Sequence, residues 1–116
     1  MEYFTTNLNI WYYLPKEFWD KMPIIYSKMD GWIGFGTGNL KGQKGIPYWF
    51  NYSSEEKHIS ASVEPGGLSF GAHMDKEEWE EWKIKIKKIA TDILGYKIGE
   101  PEIGDCDYNF GDQYIE

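Results

Sequence analysis

Apolar and polar positions alternate through residues 58–74, HISASVEPGGLSFGAHM, in two runs separated by Glu64-Pro65-Gly66-Gly67. A period of two is that of a strand with one buried face. The Pro-Gly pair suits a tight turn, because proline presets φ and glycine accepts the positive one. With Glu64 opposite Gly67, Val63 meets Leu68, Ala61 meets Phe70 and Ile59 meets Ala72 on one apolar face. On the other face Ser62 meets Ser69, Ser60 meets Gly71 and His58 meets His73. A slip of one residue would mix the two sets, so the pattern itself specifies the register.

From Asp75 the period changes. Trp79, Trp82, Ile86, Ile89 and Ile93 follow a 3-4-3-4 rhythm, which predicts an amphipathic helix ended by Gly95. Asp75 is read as its N-cap and Glu78 as the second half of a capping box. Glu77, Glu78, Glu80 and Glu81 precede Lys83, Lys85, Lys87 and Lys88, a polarity that favours the helix dipole, and the lysines read as a solvated face. Earlier, Phe18, Met22, Ile25 and Met29 recur at helical spacing around Pro23. Proline removes a hydrogen bond inside a helix. The spacing therefore predicts a short piece at 16–21, entered through Pro15, and a second piece to about Met29.

Three further strands are expected. Residues 3–14 are β-branched and aromatic, with Leu8, Ile10 and Tyr12 facing one way and Asn7, Asn9, Trp11 and Tyr13 the other. Trp32–Phe35 leads into a flexible glycine-rich loop, 36–45. Gly34-Phe35-Gly36-Thr37-Gly38 has neither the helix nor the Gly-Lys-Ser/Thr ending that phosphate cradles need, so it reads as turns and bulges. Ile46–Tyr52 is the last strand, and a five-residue turn at 53–57 would set Tyr52, Phe50 and Tyr48 opposite His58, Ser60 and Ser62. The serine face would then carry an aromatic row. The elements predict an α+β fold: an antiparallel four- to five-stranded meander with a long C-terminal helix on one face and a shorter, proline-interrupted N-terminal helix. Residues 1–99 form a single domain, and 100–116 an acidic tail whose Tyr108, Phe110, Tyr114 and Ile115 predict that part of it docks.

Charge changes this picture in one respect. The net charge is −7, yet residues 1–99 hold 13 acids and 12 lysines, while residues 100–116 hold six acids and no base. Those acids are Glu100, Glu102, Asp105, Asp107, Asp112 and Glu116. An anionic chain without arginine is poorly suited to nucleic acid or an anionic membrane and well suited to a basic protein partner. The single Cys106 makes no internal disulfide and fits a reducing compartment; among carboxylates its thiol is a poor nucleophile. There is no basic start or cleavage site of a signal peptide, and no apolar run long enough to span a bilayer, so a cytoplasmic protein is expected. His58 beside His73 invites a metal or acid–base reading, but two ligands fall short of the three or four a site needs. No metal, cofactor or catalytic residue is assigned. The high aromatic share, 18%, includes six Trp and nine Tyr and suggests that some rings serve a surface.

As a plan, GWIGFGTG, PYWFNYS, the HISASVEPGGLSFGAHM hairpin and the EEWEEWKIKIKKIATDILG helix resemble the small immunity proteins that bacteria encode beside polymorphic or contact-dependent toxins. The resemblance implies a non-enzymatic cytoplasmic protein that binds one cognate toxin domain, in many cases a basic nuclease, and blocks its active site. The contact residues would be Glu100, Glu102, Asp105, Asp107 and Asp112, with Tyr48, Phe50 and Tyr52 as anchors and His58 and His73 beside them. The alternative is a small-ligand or enzymatic domain with an aromatic pocket for a sugar or nucleobase. It would lie between the 36–45 loop and the sheet, with Trp32, Trp49 and Tyr48 stacking and His58 and His73 as polar groups. The sequence leaves strand order and oligomeric state open.

Overall fold

The structure, a computed structural model, describes residues 1–115. It is α+β. Strands β1 (Glu2–Leu8), β2 (Trp32–Phe35), β3 (Pro47–Trp49), β4 (His58–Glu64) and β5 (Gly67–Met74) form one antiparallel sheet in the order β1-β5-β4-β3-β2. Strands β2 to β5 are the expected meander. The first strand does not join its sequence neighbour; it closes the far edge against β5, with Tyr3 opposite His73 and Thr5 opposite Gly71. The helices α1 (Lys16–Trp19) and α2 (Met22–Ser27) form one bent unit, broken at Asp20-Lys21 so that Pro23 falls in the first turn of α2.

The β4–β5 register is the one the alternation specifies, from His58–His73 to Glu64–Gly67. Ile59, Ala61, Leu68, Phe70 and Ala72 are buried on its apolar face. Val63 was expected there too but is 50% exposed at the hairpin tip. Helix α3 (Lys76–Leu94) covers this face through Trp79, Trp82, Ile86, Ala90 and Leu94. The stripe therefore runs on through Ala90 and Leu94, and Ile89 and Ile93, expected at its centre, are half-buried flanks. The four-residue steps from Trp82 to Leu94 each advance about 40° beyond a full turn, so the buried line winds around the helix from the Ile89 and Ile93 side to Ala90 and Leu94. Trp49, Phe70 and Trp82 meet edge-on or tilted at 5.1–6.1 Å. The indole N–H groups of Trp49 and Trp82 donate to the carbonyls of Tyr26 and Asp30. Large rings with their polar atoms satisfied contribute roughly 4 kcal/mol each of gross burial energy. Asp75 sits at the N-cap of α3 but makes no side-chain cap bond. Glu78, the expected box partner, is taken by Lys57. Gly95 ends the helix in the left-handed conformation, φ 87°.

Two expected strands are shorter in the structure, each for a local reason. The run 3–14 stops at Leu8 because Asn9 turns inward and is fully buried. Every polar group of Asn9 is used. Its N–H donates to the Gly99 carbonyl and its own carbonyl accepts from the Tyr96 hydroxyl. Its side-chain amide donates to the carbonyls of Lys97 and Asp107, and its side-chain oxygen accepts the Gly99 N–H. The run 46–52 stops at Trp49 because Phe50 has φ 71°. The Phe50 ring fills the space beside Gly31, where an added Cβ would lie 2.5 Å from it, and the Lys57 ammonium sits 4.3 Å above the ring.

Helix α3 is not the last element. Residues 95–115 run back over the end of the helical layer and finish in a 3-10 turn, Asp112–Tyr114. Phe110 stacks on Tyr96 at 3.7 Å and meets Phe18 edge-on at 5.7 Å, and the Trp11 indole donates to the Phe110 carbonyl at 3.0 Å. Through these contacts the tail packs against Tyr96, Phe18 and Trp11. No helix is long and apolar enough to cross a membrane among the described residues.

Candidate functional site

Both helical units lie on one side of the sheet, so among the described residues no helix covers the serine face. Its floor is made of small side chains: Thr5 on β1, Ser69 and Gly71 on β5, Ser60 and Ser62 on β4. One wall is the 36–46 segment. That segment is not the flexible loop its glycines suggest but a hydrogen-bonded extension of the β2–β3 hairpin. Gly36 N–H donates to Ile46 carbonyl at 2.7 Å, Gly45 to Gly36 at 2.9 Å and Gly38 to Gly42 at 3.0 Å. Wall and floor enclose a groove of about 750 Å³, within the usual range for a ligand cleft.

The expected aromatic row is only partly present. Tyr48 pairs with Ser60 rather than Ser62, a two-residue shift that keeps it on the serine face. There it is buried under the 36–46 wall, and its hydroxyl accepts the Gln43 N–H at 2.9 Å. Tyr52 is half-buried, meets Tyr48 edge-on at 5.3 Å and donates to the Ile33 carbonyl. Phe50 leaves the row, because its left-handed backbone turns the ring toward Gly31 and the core. Trp49 is buried on the helical side and Trp32 packs there against it at 5.3 Å, so neither lines the groove.

His58 and His73 are side by side, and each has Nδ1 within hydrogen-bond reach of the same acceptor, the Glu56 carbonyl, at 3.1 and 3.3 Å. A carbonyl only accepts, so each imidazole donates from Nδ1, which leaves Nε2 as the acceptor of the neutral ring. Tyr3 stacks on His73 at 4.1 Å and donates to the Ser54 carbonyl. Three side chains from three strands thus hold the 53–57 turn. Among the described residues no group of three or more His, Cys, Asp or Glu is placed to hold a metal.

The acidic residues are sorted by the fold. The Glu100 side chain is 12% exposed and bound by Thr6, Lys83 and Lys87; Lys87 also reaches Asp105 at 2.9 Å. Burial pushes the Glu100 and Asp105 carboxyls up. The Lys87 hydrogen bond to each, with Thr6 on Glu100 and the Glu100 N–H on Asp105, outweighs burial and holds both below the usual carboxylate range. Burial likewise lowers Lys87, and the two carboxylates more than reverse it. Lys83 and Lys87, expected on a solvated face, are therefore internal partners of the tail, and Glu100 and Asp105 are the tail's anchors. Glu102, Asp107 and Asp112 remain exposed; Glu116 lies outside the described residues. Burial pushes the Cys106 thiol up, with Asp105 and Asp107 adding to it, which matches its reading as a poor nucleophile.

Beside Asp107 and Asp112 stands an aromatic group drawn from the expected first strand and from the tail. Tyr12 and Tyr108 are 62% and 63% exposed, and half-buried Tyr13 meets Tyr12 edge-on at 5.4 Å. Trp11, beneath them, meets Tyr108 edge-on at 5.5 Å. Burial raises the Tyr13 hydroxyl, and the proximity of Asp112, Tyr108 and Tyr12 raises it further. The carboxylates thus belong with Tyr12, Tyr13 and Tyr108, not with Tyr48 and Tyr52. The side chains that tie the tail down, among them Thr6, Asn9, Trp11 and Lys87, do not line the groove.

No family model, no curated protein and no solved structure matches this chain.

Proposed function

We propose that this protein is a toxin-neutralising immunity protein, which binds a basic toxin domain and blocks its active site by occlusion, without chemistry of its own. The observation that carries the reading is the docked tail. It holds Asp107 and Asp112 outward in fixed positions around exposed Tyr12 and Tyr108. Tyrosine anchors bring large contact area at low entropy cost, and fixed carboxylates around them speed encounter with a cationic surface. Glu100 and Asp105 act within the protein and position this surface instead of touching the partner.

Co-expression tests the reading. Cells producing the C-terminal domain of any toxin encoded beside this chain are expected to survive when the protein is present, and the two are expected to co-purify. The double change D107K/D112K is expected to weaken the complex by about tenfold or more, the worth of lost charge complementarity, with the fold retained. Absence of binding, with no rescue of cells, would sink the reading.

A further inference from the structure

The groove on the serine face is left without a role by the toxin-binding reading, and the inference drawn from it does not rest on that reading. We propose that it is a binding site for a neutral, hydroxyl-rich ligand, a short uncharged oligosaccharide.

Its chemistry is selective. Among the described residues, and apart from tyrosine hydroxyls, the only ionisable side chain lining it is His58; the nearest carboxylate, Glu64, stands at its end and is taken up by the Ser62 hydroxyl at 2.9 Å. A charged ligand would lose hydration there and gain no opposite charge. The floor offers hydroxyls from Thr5, Ser60 and Ser69, and the wall offers the side-chain amides of Asn39 and Gln43. None of these five side chains is used in a hydrogen bond among the described residues. Hydroxyls and amides that both donate and accept suit sugar hydroxyls, which do the same.

His58 supplies the pointer to a ligand. It lines the groove and is only 6% exposed. Its Nδ1–H is committed to the Glu56 carbonyl, and its Nε2 has no hydrogen-bond partner among the described residues. That Nε2 is reached by solvent, since the Trp19 indole N–H is the one buried side-chain polar atom left without a partner among the described residues; a ligand hydroxyl donates to it in place of water. Tyr52, half-buried at the wall, offers a ring against which the apolar face of a pyranose can lie. A floor of glycine and small hydroxyl residues lets such a ring approach the sheet closely. The groove is open along its length, which suits an internal segment of a chain.

The test is a titration of the ¹⁵N-labelled protein with maltotriose, cellotriose and triacetylchitotriose, beside trigalacturonate and adenosine as probes of charge and of base recognition. The expected result is saturable movement of the Ser60 and Gly71 amides and of the His58 Nε2 resonance with at least one neutral trisaccharide. His58→Leu is expected to weaken that binding by about tenfold, the worth of one hydrogen bond. Ser60→Val, on the exposed face of a strand, tests the floor even if the His58 variant folds poorly, and is expected to weaken binding as well. No movement with any neutral trisaccharide overturns the proposal. So does movement with trigalacturonate or adenosine alone, or binding that both variants leave unchanged.

Discussion

The groove and the tail surface are both exposed and both aromatic, yet they are built by opposite means. The groove is a sheet face that local pattern makes: small side chains at every second position, an uncharged floor and a wall hydrogen-bonded to itself. The tail surface has no regular element beneath most of it. It is held by one buried asparagine, which reaches 88 to 98 residues along the chain, and by one stacked ring pair and one ion network that each tie the tail back to α3 or its end. The difference teaches that an exposed surface can be pre-organised either by a repeating ladder or by a few irreplaceable ties. The second kind concentrates its energy in few residues and is correspondingly fragile.

That contrast can be broken most severely at Asn9. Asn9→Asp keeps the shape but replaces the donor to the Lys97 and Asp107 carbonyls with a second acceptor. A buried charge facing two carbonyls is expected to cost about 3–5 kcal/mol in denaturant unfolding. Hydrogen exchange of the 96–110 amides should rise more than that of β4 and β5; uniform loss of protection would show that tail and sheet are one cooperative unit. Gly31→Ala strikes the other side. It forces a Cβ into the Phe50 ring at a position with φ +85°, and about 2–3 kcal/mol of destabilisation is expected, read from the shift in thermal midpoint.

The ion network gives a sharper, smaller test. Glu100 and Asp105 have folded-state pKa values below those of the unfolded chain. Their contribution is therefore present above the ordinary carboxylate range and is lost as pH falls through the lower folded values, below about pH 4. Lys87 is raised, so its contribution holds below the ordinary lysine value and is lost only as pH rises past its higher folded one. Glu100→Gln is expected to cost about 1–2 kcal/mol at neutral pH, because it leaves Lys83 and Lys87 short of a partner. It should also flatten the acid limb of the stability profile, measured by urea unfolding at stepped pH. The smallest effect is expected at Tyr108→Ala, less than about 1 kcal/mol, although the same change at Phe110, in the stack on Tyr96, should cost about 3 kcal/mol.

The sequence showed the ladder-built region well and the tied region poorly. Residues 58–74 carry their register openly, because alternation of Ile59, Ala61, Leu68, Phe70 and Ala72 with Ser60, Ser62, Ser69 and Gly71 leaves one pairing that separates the faces. Phe50 hid its role. It continues the alternation of Tyr48 and Tyr52, and what turns it away is the missing side chain of Gly31, a residue in another strand's approach. Asn9 hid more completely. It occupies an ordinary polar position in an aromatic strand pattern, and its partners lie 87 to 98 residues downstream. The tail's carboxylates were visible as charge, but the division into anchoring Glu100 and Asp105 and outward Asp107 and Asp112 depends on where Lys83 and Lys87 come to rest.

The Asn9 tie also sets an order of events during synthesis. Strands β2 to β5 are neighbours in the chain and can pair as they emerge from the ribosome. The segment 1–9 has no place to go until β5 has been made, and Asn9 stays unsatisfied until residue 107 is free. Strand β1 is thus translated well before the edge it covers, and Asn9 waits longer still, for partners that follow α3. The strand left unpaired through that interval, and open to other edges, is β1, from its own translation until β5 emerges.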